Sequence, residues 1–296
     1  MSSQAKRLTY RERLTSEMKA IRDDYRKIIA ASSVVNVDPN RTHSDWGAFV
    51  GFPEWAWAPG DASLEASRMK LLGMFRDWAP RFRLLFPHAT PQVDERLSGA
   101  LERLHDWLVR ETGSHDVPAT IQQAEVQLDA TFSLLFELMA LLPPDEFKVR
   151  ATVDTNTLVD NPDLAAHTQS LGGRYMVHLL PVVLREIDDL KRNGRNEMVR
   201  EGAKRADRRL KGLRTNGDVL TGVRVAGDVH AVFDHVEPAS DDLPSWLDLS
   251  VPDDRFVAST LLLQSAHPGS AVYAATGDIN LQTKLSAVGI PFVELP

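Results

Sequence analysis

Apolar residues recur along the first part of the chain at helical spacing. Leu14, Met18, Ile21, Tyr25 and Ile28 fall at steps of four, three, four and three among charged residues, which is one stripe on a helix of several turns. Three more helices are predicted from their starts. Asp61 precedes one carrying Leu64, Leu71, Leu72 and Phe75. Thr90-Pro91 opens one with Val93, Leu97, Leu101, Leu104 and Leu108. Asp116-Val-Pro118 opens a third that ends in the apolar run to Leu142 and is expected to be buried nearly all round. Between the first two lies a segment rich in Asn, Asp, Pro and Gly, Asn36 to Gly60, read as a loop whose Trp46, Trp55 and Trp57 staple it to its domain. Pro143-Pro144 then stops the last helix, because proline lacks the amide proton a helix needs and restricts the residue before it. A helical domain over 1–146 follows, with no repeat and no catalytic spacing.

From Phe147 onward the period changes. Short β-rich runs at Phe147–Val153, Tyr175–Leu180, Val219–Val225, His230–Val236, Ala271–Ala275 and Pro291–Leu295 alternate with helical stretches at about 161–170, 183–213, 254–265 and 279–288. This is the signature of an α/β domain with a mainly parallel sheet, over 147–296. Ligands bind such sheets beyond the carboxyl ends of the strands, so acids there are site candidates.

Four acids qualify. Asp154 follows the apolar strand residue Val153 and precedes Thr155 and Asn156. Glu186 lies about a turn into the helix that Pro181 begins. Asp254 stands beside Asp253 after Pro252, at a helix start. Asp278 follows the strand Ala271–Ala275 in Thr276-Gly277-Asp278-Ile279-Asn280. Each alone reads equally as a helix cap, a turn residue or a surface carboxylate. Gathered in one domain they repel each other unless a cation sits among them, and oxygen ligands without cysteine suit Mg2+ or Mn2+ rather than zinc.

Composition narrows the field further. The 296 residues carry no cysteine, which removes disulfides, thiolate metal sites and cysteine nucleophiles and makes a reducing cytoplasmic setting the default expectation. The most apolar run, Leu134 to Leu142, is far shorter than the roughly 20 residues that span a bilayer, so no membrane partner is expected. A net charge of −7 argues against indiscriminate nucleic-acid binding by the whole chain. Locally the balance reverses. Lys191, Arg192, Arg195, Arg200, Lys204, Arg208 and Lys211 form a basic run in which 200, 204, 208 and 211 share one helical face, a ridge that phosphates could follow.

The segments Val-Asp154-Thr-Asn156, Val-Leu-Arg-Glu186-Ile-Asp188-Asp-Leu-Lys, Asp253-Asp254-Arg-Phe-Val-Ala and Thr276-Gly-Asp278-Ile-Asn280 together resemble the PIN-domain nucleases, most closely the branch linked to PhoH and to mRNA decay. The resemblance covers about 147–296. It implies that Asp154, Glu186, Asp254 and Asp278 form a metal-holding catalytic quartet, supported by the polar residues Asn156, Thr276 and Asn280. It further implies a metal-dependent endoribonuclease acting on single-stranded RNA and leaving a 5′-phosphate and a 3′-hydroxyl. The N-terminal helices are then expected to gate, target or oligomerise the enzyme. A noncatalytic RNA-binding scaffold of the same fold and a structure-specific DNA nuclease are the alternatives. A phosphatase of haloacid-dehalogenase type needs an acid two positions after its nucleophile, and position 156 is Asn.

Overall fold

The computed structural model describes residues 8–38, 53–111, 116–239, 243–244 and 246–294. It divides into two compact units, Arg13–Leu142 and a second made of Pro143–Pro296 with the residues up to Glu12.

The first unit is mainly helical: α1 (Tyr10–Ala31) from Arg13 on, α2 (Ala62–Arg83), α3 (Pro91–Val109) and α4 (Ile121–Ala140), with β1 (Val34–Val37) and β2 (Glu54–Trp57) between α1 and α2. The α1 stripe is buried throughout, and Tyr25 at its centre donates to Leu104 O at 2.6 Å while meeting Phe75 and Phe132 edge-on. Asp61 caps α2 by accepting from Leu64 N at 2.8 Å. Three expectations change here. The fourth helix starts after Thr120, whose Oγ1 accepts from Gln123 N at 3.2 Å, and not at Pro118. It is also amphipathic, with Leu128, Phe132, Leu135 and Leu138 buried and Val126 exposed. The expected loop contains the antiparallel pair β1–β2, which places Trp57 edge-on to Trp107 and under the Arg110 guanidinium, so Trp57 does anchor its segment. Trp46 lies outside the described residues.

The second unit is α/β. Its six-stranded sheet runs β5 (Val223–Ala226), β6 (Asp228–Phe233), β4 (Arg174–Leu179), β3 (Val149–Val153), β7 (Ala271–Ala275), β8 (Phe292–Val293), parallel except for the β5–β6 edge. Around it lie α5 (Thr155–Asp160), α6 (Thr168–Leu171), α7 (Pro181–Asn193), α8 (Glu197–Leu213), α9 (Pro252–Ala266) and α10 (Ile279–Ala287). From β3 the chain proceeds to β4 on one side and returns to β7 on the other. The β3–β7 seam is therefore the switch point where such sheets open a crevice.

Two helical expectations are corrected. The stretch after β3 is a short helix beginning at Thr155, with only Thr168–Leu171 helical in the predicted 161–170 region. The single helix expected over 183–213 is two. A side chain at Gly194 would sit 2.6 Å from Leu190 O, and Asn196 starts a new helix by accepting from Val199 N at 2.9 Å.

The break lets α8 fold back along α7 and press on α5. At Gly202 a Cβ would stand 2.7 Å from Val159 Cγ1 and 2.8 Å from the Val159 carbonyl oxygen. Alanine would gain about 1 kcal/mol of helix propensity, but overpacking against a backbone oxygen costs about 1–3 kcal/mol. Gly202→Ala is expected to lose stability on balance, by up to about 2 kcal/mol. A denaturation midpoint at or above wild type would contradict that packing.

Candidate active site

At the carboxyl edge of the sheet a cleft of about 350 Å³ is lined by Asp154, Thr155, Asn156, Glu186, Asp189, Asp253, Phe256, Asp278 and Leu281, among others. Asp154 leaves β3 as the cap of α5. It is buried, its amide donates to Ala275 O across the seam at 3.1 Å, its Oδ1 accepts from Thr157 N at 2.6 Å, and its Oδ2 accepts a short bond from Thr276 Oγ1. The cap role is real, and it aims the carboxylate at the strand ends. Asp278 likewise caps α10, with Oδ1 accepting from Asn280 N at 2.8 Å and Leu281 N at 3.1 Å.

Glu186 reaches the cleft from α7, and its Oε2 accepts a short bond from Thr155 Oγ1. Burial pushes its proton affinity above the usual carboxylate range; the Thr155 hydroxyl works against that, and the charges of Asp253 and Asp154 add to it. A cation would reverse that strain. Asp189, one turn after Glu186, also lines the cleft. It was missed in the sequence, although an i, i+3 pair on one helix face is a legible signal.

The third predicted acid lies elsewhere. Asp254 is not among the cleft-lining residues, whereas Asp253 is. Asp254 is turned into the protein, where Lys284 of α10 sits 2.6 Å from its Oδ1 and Asp248 N donates to its Oδ2 at 3.0 Å. It ties α9 to α10 and to the segment before α9. Of the predicted polar supports, Asn156 lines the cleft, Thr276 hydrogen-bonds Asp154, and Asn280 contributes its backbone amide to the Asp278 cap.

The basic run divides into two classes. Lys191 is held by Asp188 at 2.5 Å and Asp207 at 2.9 Å, Arg200 by Glu197 at 2.6 Å, Lys204 by Glu201 at 2.7 Å and Lys211 by Asp207 at 2.8 Å. Arg192, Arg195 and Arg208, with Arg205 and Arg214, are exposed and make no ion pair among the described residues.

The donor set suits a hard divalent cation in kind, being oxygen throughout. Among the described residues no three acidic or histidine side chains converge closely enough to ligate one ion as they stand. The carboxylates of Asp154, Glu186 and Asp278 instead accept from hydroxyl and amide donors. No described helix is long and apolar enough to cross a membrane. No curated protein matches the chain. The family model described as the PIN domain matches residues 151–295, which hold the parallel sheet and all the cleft acids, and this segment is a PIN domain.

Proposed function

We propose that the PIN domain is a divalent-metal-dependent endoribonuclease that hydrolyses single-stranded RNA, in the manner of the PhoH-linked and mRNA-decay branch it resembles. The observation that carries this reading is one cleft at the sheet's switch point lined by carboxylates from four separate segments, Asp154, Glu186, Asp253 and Asp278. The family is typically one of metal-dependent nucleases. In this reading Asp253 takes the third place of the quartet and Asp254 positions α9.

Asp154, Asp253 and Asp278 are the residues that would hold Mg2+ or Mn2+, which when bound would supply Lewis acidity to a phosphate oxygen and an activated water. Glu186, which reaches the same cleft from α7, would receive the proton of the attacking water. The free arginines Arg192, Arg195, Arg205 and Arg208 carry the phosphate backbone, while Lys191, Arg200, Lys204 and Lys211 serve chiefly to stabilise α7 and α8. Backbone contacts of that kind weaken with salt.

The occupied carboxylates and the absence of a preformed ligand triad among the described residues favour a second reading, a PIN-fold RNA-binding scaffold without turnover. Labelled single-stranded RNA, single-stranded DNA and a DNA flap, each with Mn2+ or EDTA, separate the readings. Mn2+-dependent cleavage of RNA alone is the expected result. Salt-sensitive RNA binding without cleavage points to the scaffold, and preferential cutting of the flap to a DNA nuclease.

A further inference from the structure

We propose that a second groove beside the acidic cleft seats a nucleobase of the bound strand and prefers one bearing an exocyclic amino group. The inference rests on the reading that the cleft takes single-stranded RNA, and it adds where sequence preference would arise.

The groove is the roomier of the two, about 680 Å³, and Asn156, Asp160, Asn161, Gly277 and Glu294 are among its lining. Asn156 and Asp278 belong to both groove and cleft, so a strand with a phosphate at the acids has its neighbouring nucleoside at the groove. No lysine or arginine lines it, which disfavours a second phosphate and leaves the uncharged part of a nucleotide as the fitting occupant.

The polar groups available there suit a base edge. The Asn156 amide and the Asp160 carboxylate make no hydrogen bond among the described residues and are exposed. Asn161 uses its Oδ1 to accept from Asp163 N at 3.0 Å, which leaves its Nδ2 as a donor. Glu294 gives one oxygen to Gln282 at 2.6 Å and keeps the other. Carboxylate acceptors match the amino groups of cytosine, adenine or guanine, which uracil lacks. Gly277 is an exposed part of the lining. A Cβ there would meet nothing within 4 Å, so the bare backbone borders open space that any larger side chain would fill.

The test is fluorescence anisotropy of the full chain with a short single-stranded RNA in Ca2+, scanned with one abasic position at a time and with cytosine exchanged for uracil. One position is expected at which removing the base, and with it the base-edge hydrogen bonds, weakens binding about tenfold. Gly277→Leu should flatten that profile, and Asp160→Asn, at an exposed site that folding does not depend on, should equalise cytosine and uracil there. A uniform abasic profile, or one unchanged in both variants, overturns the proposal even where Mn2+-dependent cleavage is found. A base-sensitive profile that the variants abolish, in a protein that cuts nothing, sustains it and removes the nuclease reading alone.

Discussion

Asp154→Asn is expected to lower Mn2+-dependent RNA cleavage about a thousandfold or more, equivalent to ~4 kcal/mol of barrier, while the protein stays folded. Asparagine is as good a helix cap as aspartate, so its Oδ1 still accepts from Thr157 N. The Thr276 hydroxyl, now a donor to Asp154, can turn to accept from the new amide. What the substitution removes is the charge. The neighbouring pair makes the comparison sharper. Asp253→Asn should resemble Asp154→Asn, because it removes a cleft carboxylate whose one ion pair among the described residues, with Lys284 at 3.6 Å, is partly exposed. Asp254→Asn should instead cost stability, since Lys284 at 2.6 Å loses its closest anion. Lys284 is partly exposed, so water takes up part of that loss and about 1 kcal/mol is the expected size. Cleavage and melting assays on the three variants check this directly. Full activity in Asp253→Asn with none in a well-folded Asp254→Asn would return Asp254 to the quartet.

The sheet was legible because the strands of the second unit are short β-rich runs between breakers, and the acids after β3 and β7 stand one to three residues beyond those runs. Local spacing could not decide between Asp253 and Asp254. They are one residue apart, so the helical turn points them about 100° apart, and which one faces inward depends on groups distant in sequence, with Lys284 nearer to Asp254 at 2.6 Å than to Asp253 at 3.6 Å and the Asp248 amide donating to Asp254. The ion pairing within the basic ridge was hidden for a related reason. Charge counting saw seven cations, but the break at Gly194 folds α8 back on α7, so that Asp207 takes Lys191 as well as Lys211. The short helix after Asp154 was hidden because Asp-Thr-Asn serves a turn and a cap equally well. What the strand reading passed over was polarity inside β3. Arg150 and Thr152 alternate with Val149, Ala151 and Val153, which marks one face of the sheet as something other than an apolar core.

On that face Arg150, almost fully buried, holds together groups from several elements. Its Nε donates to Ser270 Oγ at 3.1 Å, its Nη1 lies 2.9 Å from His178 Nε2, and its Nη2 stands 3.7 Å from Asp145. A guanidinium can only donate, so His178 Nε2 accepts, and the ring is neutral with Nδ1 donating to Asp234 at 3.1 Å. The His267 ring lies tilted beside His178, centroids 5.6 Å apart, and contacts Asp145 at 2.9 Å, and Gly269 N donates to Asp145 at 2.6 Å. Arg150→Met removes the shared donor and leaves Asp145 and His178 without it, so a loss of about 3–5 kcal/mol is expected. That corresponds to a fall in melting temperature of about 10 °C for a unit of this size.

The pH dependence has a definite sign. Burial holds the proton affinity of His178 below the ordinary histidine range, against the pull of Asp234, and burial lowers His167 as well. The unfolded chain therefore takes up protons near pH ~6.5 that the folded chain refuses, so stability falls as pH drops through that value. Asp145 is also lowered, because its contacts with His267, Arg150 and Gly269 outweigh its burial, and its contribution is lost in turn below the ordinary aspartate range. Glu186, raised by burial and by its acidic neighbours, acts in the opposite direction and slightly offsets the histidines. Urea midpoints at about pH 7.5 and about pH 5.5 test the balance. Wild type should be the less stable at the lower value, and Arg150→Met should lose less on acidification, because His178 Nε2 is then free of the guanidinium that opposes its protonation. An equal acid-induced loss in both proteins would mean that Arg150 does not govern the histidine.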